Sequence, residues 1–343
     1  VQTHTVQIGG KTILYHFNAS IHAPEFLNDH RNKVLLTDTN VAQHLPERLR
    51  RMPCIAIPAG EKSKQQATAD HIIGQMLEMG ADKETLLVGI GGGVVTDLAG
   101  YVASIYMRGI AFGLVPTTLL AMVDAAIGGK NGVDLGQYKN LAGTIYQPDF
   151  IHFDYALTDT LPLDEWESGF AEIIKHACIA DATLFAELQS KQLSDFRENK
   201  EALHALVKRN VLIKTSIVAE DEQGTGKRHL LNFGHTLGHP IELLCNLPHG
   251  HAVSIGMMLA AGISEEINGF SSAEKSALKT LLEKYGLPVS VDTDTKKLTE
   301  LAIKDKKKSG DAIRFVLLRS IGDADVIKIP MQQLSDLIKT ICC

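Results

Sequence analysis

Four short β-rich runs, at residues 33–37, 54–58, 85–90 and 111–116, each stop at glycine or polar residues and then give way to helical spacing, as in 67–79. Nothing else in the chain narrows its fold as much. Strands alternating with helices build a parallel sheet with helices on its faces, because a parallel crossover is long and a helix supplies it. The loops that follow such strands gather at one edge of the sheet, where ligands bind. Beyond residue 161 the pattern becomes mostly helical. Leu163, Trp166, Phe170, Ile173, Ile174 and Ala177 fall on one stripe. Further helices are expected over 202–219, 229–244, 252–268 and 273–285, the last stopped by Gly286 and Pro288. A short strand pair, 313–318 with 325–329, and a terminal helix close the chain. The expected architecture is an α/β nucleotide-binding domain over residues 1–160 and a mostly α-helical domain over 161–343. A chain of 343 residues, 45% of them hydrophobic, suffices for two cores.

Composition limits the partners. The net charge of −6 argues against nucleic acid or an anionic membrane surface. No apolar run reaches the roughly 18–20 residues that a membrane span requires. The opening segment is polar and alternating, without the charged and apolar regions of a secretory signal. The five cysteines lack CxxC spacing, which suits reduced thiols in a cytoplasm and gives neither a disulfide framework nor a thiolate zinc site.

Gly91-Gly92-Gly93-Val94-Val95-Thr96-Asp97 follows the third run and opens a helical segment. Glycines let backbone approach a ligand, and a helix N-terminus offers unpaired N–H groups to a pyrophosphate. This is not the GxGxxG fingerprint, and a glycine triplet alone is as well explained by a tight turn. Asp38, at the end of the first run, suits ribose hydroxyls or simply closes a strand. Gly60-Glu61-Lys62-Ser63-Lys64 and Pro116-Thr117-Thr118 also follow runs, so these loops are expected at one sheet edge. Arg108, Lys130 and Lys139 stand beside glycines and small residues in an otherwise acidic chain, around Asp124 and Asn140. Such cations suit phosphate or carboxylate. In the second half, His235 and His239 are spaced i,i+4 on one helix face, with His249 and His251 close behind. Upstream, Glu172, Lys175 and His176 share a face opposite Trp166 and Phe170. Imidazole and carboxylate donors of this kind suit a catalytic zinc with an open position. Spacing alone pairs His235 with His239, and the absence of HExxH gives no sign of a zinc protease.

Taken together, the chain resembles the 3-dehydroquinate synthase family of the sugar-phosphate cyclases. The resemblance runs from Asp38 to about Gly322 and rests on ordered motifs. These include Gly60-Glu61-x-x-Lys64, Gly91-Gly92-Gly93-Val94-Val95-x-Asp97, Tyr106-Met107-Arg108-Gly109, Gly128-Gly129-Lys130, Lys139-Asn140-Leu141, Ala171-Glu172-Ile173-Ile174-Lys175, Leu231-Asn232-Phe233-Gly234-His235-Thr236, His249-Gly250 and Asp305-Lys306-Lys307. It implies a Rossmann-like first domain, a metal- and substrate-binding second domain, NAD, one zinc or cobalt ion, a phosphorylated keto-acid substrate and a homodimer.

The resemblance also implies site residues. Glu172, His235 and His249 become the metal ligands, and His239 moves to the substrate. NAD contacts come from Asp38, Asn40, Glu61, Lys64, Gly92, Gly93, Asp97, Thr117, Thr118 and Thr160, with Lys130 and Lys139 beside them. Substrate contacts come from Arg108, Asp124, Lys130, Lys139, Asn140, Lys175, Lys214, Arg228, Asn232, His239 and Lys306. The chain departs from the family pattern at Thr96, Ala125-Ala126, Asn131, Asp134 and His251, where the family has Gly, a Ser pair, Thr, Asn and Glu. The implied activity converts 3-deoxy-D-arabino-heptulosonate 7-phosphate to 3-dehydroquinate and phosphate. Another NAD- and metal-dependent cyclase, or a metal-dependent polyol or alcohol dehydrogenase, is the alternative.

Overall fold

The four β-rich runs are strands of one sheet in a computed structural model that describes residues 1–136, 138–304 and 311–342. The chain forms two compact units, Val1–Leu161 with Lys200–Glu222, and Pro162–Asn199 with the chain from Gln223 onward. The break after Leu161 lies one residue from the expected boundary. Residues 200–222, expected in the second domain, belong with the first. The reason is packing: helix Lys200–Glu220 lies against the π-helical turn Ala121–Ala125 and the first strand.

The strands of the first unit are β1 (Gln2–Ile8), β2 (Lys11–Phe17), β3 (Lys33–Asp38), β4 (Cys54–Ile57), β5 (Leu86–Gly91), β6 (Phe112–Pro116), β7 (Lys130–Leu135), β8 (Tyr138–Ile145) and β9 (Phe150–Phe153). Seven form a sheet in the order β1-β2-β9-β6-β5-β3-β4, antiparallel only between β1 and β2. Every residue of β5 and β6 is buried, as their apolar sequences require of strands covered on both faces. From β3 the chain moves outward to β4 and then returns to the other side of β3 to form β5. The order therefore reverses between β3 and β5, and that switch point is where an open α/β sheet holds a ligand.

Three parts of this unit depart from the sequence expectation. The edge strand β1 is mostly exposed and polar, β2 beside it buries Ile13, Tyr15, His16 and Phe17, and β9 is buried throughout but only four residues long, too short a run to stand out as a strand. The cation-bearing loop is an antiparallel hairpin, β7–β8. Glycine hides its alternation while making the pairing possible. A Cβ on Gly143 would stand 2.2 Å from the Asn131 carbonyl oxygen, so only glycine lets the two backbones close there.

In the second unit, helix Leu163–Ala180 packs against helix His249–Asn268 and against the hairpin β10 (Ala312–Ser320) and β11 (Asp323–Pro330). Those neighbours bury it on nearly every side, so Glu172, Lys175 and His176 are interior residues rather than members of a solvent-facing polar face. The helix expected over 229–244 is instead a 3-10 segment, Lys227–Asn232, followed by a break at Gly234 and helix His235–Cys245. Gly234 has φ 80°, a left-handed value that interrupts the helix and starts a new one at His235. Helices Ala182–Ser190, Leu193–Arg197, Ser272–Lys284 and Thr295–Lys304 and the terminal helix Met331–Cys342 also belong to the unit. Among the described residues, no helix is long and apolar enough to cross a membrane.

Candidate nucleotide and metal sites

At the switch point of the first unit, Gly92 caps helix Gly93–Ile105 and Gly93 is its first residue. The unpaired N–H groups of that helix start lie beside the end of β5, a ready anion site. A Cβ on Gly92 would come within 3.1 Å of Thr118 Cγ2, so glycine keeps this approach narrow and open. Thr96, which stands where the family pattern has Gly, turns inward: it is buried, and its hydroxyl donates to the Gly93 carbonyl at 2.9 Å. Across the switch, Asp38 ends β3 and caps the short helix Thr39–Ala42, with Oδ1 accepting the N–H groups of Asn40 at 2.8 Å and Val41 at 3.0 Å. Thr117 follows β6 and donates its N–H to Gly91, and Thr118 Oγ1 accepts from the Ala121 N–H. Thr160 is exposed, in the chain after β9.

The loop after β4 holds Glu61 and Lys64. Lys64 is buried and paired with Asp97 Oδ2 at 2.5 Å. Burial holds the Asp97 carboxyl above its ordinary value, and the Lys64 ammonium offsets only part of that rise. Burial likewise opposes the Lys64 charge, but Asp97 and Glu61 outweigh it and hold the ammonium above its ordinary value. Lys139 Nζ lies 3.5 Å from Glu61 Oε1. Helix Lys200–Glu220 supplies Lys214, which donates to the Asp124 carbonyl at 2.6 Å and pairs with its carboxylate at 2.9 Å. Lys130 begins β7 and is exposed, as is Arg108, which sits at φ 62°. The departure Asn131 donates its amide to the Gly129 and Tyr146 carbonyls, tying the hairpin base together.

In the second unit, donor atoms of Glu172, His235 and His249 all lie within 4.8 Å of one another. Glu172 is fully buried, and its Oε1 stands 3.4 Å from Nε2 of both His235 and His249. The outer ring nitrogens are also placed. His235 Nδ1 meets the Phe233 carbonyl at 3.1 Å, and His249 Nδ1 meets Glu242 Oε2 at 3.2 Å. An imidazole held at Nδ1 presents Nε2 inward, which is how a protein orients a histidine toward a divalent metal. One carboxylate and two such imidazoles match the donor chemistry of zinc or cobalt. Burial lowers His235 to about 3, so its Nε2 stays an acceptor at neutral pH. Burial also acts against a charged His249, yet hydrogen bonds to Glu172 and Glu242 raise it to about 10. A divalent cation would take over that demand for positive charge between the two carboxylates.

The i,i+4 pair suggested by spacing is only partly realised. The rings of His235 and His239 are 5.2 Å apart at their centroids, but His239 groups with Glu242 and His249 rather than with Glu172. Lys175, one turn along from Glu172, forms an ion pair with its Oε2 inside the helix core. Arg228 is buried in the 3-10 segment that also carries Asn232. Lys306 lies outside the described residues. Sequence reasoning missed Glu242, although His235, His239 and Glu242 follow one another at helical spacing. Asp134, noted in the sequence only as a departure from the family pattern, stands in the hairpin and accepts the Asn140 N–H.

Comparison with known proteins gives a consistent result. The family model described as 3-dehydroquinate synthase N-terminal matches residues 54–168, and the one described as 3-dehydroquinate synthase C-terminal matches residues 169–308. A 3-dehydroquinate synthase of Pelobacter propionicus is 40% identical over 287 residues, covering 82% of this chain and 80% of the relative. One from Leptospira interrogans is 37% identical over 316 residues, 90% of this chain and 87% of the relative. Among solved structures, 2-epi-5-epi-valiolone synthase from Streptomyces hygroscopicus, with NAD+ and Zn2+ bound, has a TM-score of 0.86 at 25% identity over 99% of both chains. A 2-deoxy-scyllo-inosose synthase complexed with carbaglucose-6-phosphate, NAD+ and Co2+ also has a TM-score of 0.86, at 23% identity over 99% of this chain and 100% of that one.

Proposed function

The chain belongs to the 3-dehydroquinate synthase family, and from that premise we propose how its own residues serve the reaction. The enzyme is an NAD- and metal-dependent carbon–oxygen lyase of the shikimate pathway, converting 3-deoxy-D-arabino-heptulosonate 7-phosphate to 3-dehydroquinate and phosphate. When bound, NAD supplies a reversible hydride acceptor and the divalent ion a Lewis acid.

Glu172, His235 and His249 hold the metal. The observation that carries this reading is their convergence, with both outer Nδ1 atoms already engaged. The switch-point residues hold the cofactor: Gly92 and Gly93 the pyrophosphate, Asp38 and Asn40 the ribose, with Glu61, Lys64, Asp97, Thr117, Thr118 and Thr160 around them. Lys130, Lys139 and Asn140 take the substrate phosphate, since ammonium and amide donors suit its oxygens. Arg228 takes the carboxylate, where a planar fork matches two oxygens. His239 holds or moves protons, and Asp124, Lys175, Lys214, Asn232, Arg108 and Lys306 complete the substrate contacts. By the same resemblance, the enzyme is a homodimer in the cytoplasm, which sedimentation and cell fractionation would check.

The test is incubation of the protein with the heptulosonate phosphate, NAD and Zn2+ or Co2+, with phosphate and dehydroquinate both measured. Equal amounts of the two products are expected. Turnover of a hexose phosphate instead, with none of the heptulosonate, would move the enzyme to one of the neighbouring cyclase activities.

A further inference from the structure

We propose that Asp134 is a positioning residue for the substrate, acting through Asn140, and that Lys64 fixes which end of the Asn140 amide meets the ligand. This rests on the reading of Asn140 as a substrate contact. Asn140 sits at φ 53°, a left-handed conformation that asparagine tolerates better than most residues. Its backbone N–H donates to Asp134 Oδ1 at 2.8 Å. Asp134 is itself fastened to the loop after β4, since its N–H donates to the Lys64 carbonyl at 2.8 Å and it bridges to Gln65 in parallel. The hairpin tip and the cofactor loop are therefore stapled together at one residue.

The side chains complete the circuit. Lys64 Nζ lies 2.5 Å from Asn140 Oδ1 and 2.5 Å from Asp97 Oδ2. An ammonium has donors only, so the amide must turn its oxygen toward Lys64. The Asn140 NH2 group is then on the other side, where it offers two donors. It recognises an acceptor, such as a phosphate oxygen, and disfavours a donor in the same place. Lys64, grouped with NAD by resemblance, thereby sets the polarity of a substrate contact as well. The backbone bond to Asn140 needs only an acceptor oxygen at position 134. Asparagine, the residue of the family pattern, supplies one too, whereas alanine supplies none.

The test compares Asp134→Ala, Asp134→Asn, Asn140→Ala and the double variant Asp134→Ala/Asn140→Ala at saturating NAD. Losing the charge-assisted bond that holds Asn140 is expected to raise the substrate KM of Asp134→Ala about tenfold, with kcat changed less than about twofold. Asp134→Asn keeps KM within about threefold of the parent, because its amide oxygen still accepts. The double variant is no worse than Asn140→Ala alone, as two residues acting through one contact are not additive. An unchanged KM in Asp134→Ala, or a full further loss in the double variant, would overturn the proposal. A second readout needs no turnover. With selective 15N-asparagine labelling, the Asn140 backbone resonance should move in Asp134→Ala and hold in Asp134→Asn. Failure of the parent enzyme to consume the heptulosonate phosphate would defeat the functional reading, whereas an unmoved Asn140 resonance would defeat this one.

Discussion

His249 and His251 are two residues apart at the start of one helix, and composition does not distinguish them. Their partners do. His249 has Nε2 beside Glu172 and Nδ1 on Glu242, whereas His251 Nε2 meets Glu167 Oε2 at 3.0 Å. His249→Ala is expected to abolish bound metal and turnover, and His251→Ala to keep most of the metal, as elemental analysis of the purified variants would read. The reverse result would shift the third ligand by two residues. A second residue-scale prediction concerns pH. His152 is buried in β9 beside His16, and burial, with His16 adding to it, lowers its imidazole to about 4. The unfolded chain takes up this proton near the ordinary 6.5 and the folded protein only near 4, so stability is lost as pH falls through that window. The loss is on the order of 3 kcal/mol at most. His152→Leu should flatten the decline of the denaturation midpoint between pH 6.5 and 4, and an equally steep decline would remove His152 as its source. At this scale much was legible: Glu172, His235 and His249 come together as the motifs implied. Glu242 was not singled out because a carboxylate on a helix is ordinary until its neighbour is seen to need one.

Among elements, the β7–β8 hairpin shows why some structure escaped the sequence. Its signal would be alternation, but glycines at 132 and 143 leave gaps in the pattern, and the charges that stood out suggested a loop. The parallel strands β5 and β6 were easy by contrast, because burial on both faces demands unbroken apolar runs. The glycines themselves make a prediction. Gly143→Ala would force its Cβ to 2.2 Å from a backbone oxygen and should destabilise by about 1–3 kcal/mol. Gly74→Ala lies mid-helix in Gln66–Glu78, with nothing within 4 Å of the new Cβ, and should stabilise by about 0.5–1 kcal/mol. Denaturant titration of both variants checks the contrast, and shifts of the same sign would refute it. The helix expected across 229–244 failed for a related reason: periodicity continued through Gly234, but its left-handed backbone did not.

For the whole molecule, the reaction restores its cofactor in each turnover. The heptulosonate phosphate should therefore release phosphate without net accumulation of reduced nicotinamide, followed by absorbance at constant enzyme. Stoichiometric accumulation from a simple alcohol would instead mark a dehydrogenase. Sequence alone read two architectures in two consecutive segments, and the switch from alternating strands to helices was real. It could not show that residues 200–222 rejoin the first unit, because a helix reads the same whichever core it covers. That return has a consequence for how such a protein can be divided. The polypeptide passes from one unit to the other three times, after residues 161, 199 and 222. A gene fragment ending at residue 160 would encode the seven-stranded sheet but omit the helix carrying Lys214, the partner of Asp124. Exchanging the nucleotide half with a relative by a single recombination joint would leave that helix matched to the wrong parent. A chimera that preserves the pairing needs three joints, and libraries built from one should be poor in folded members.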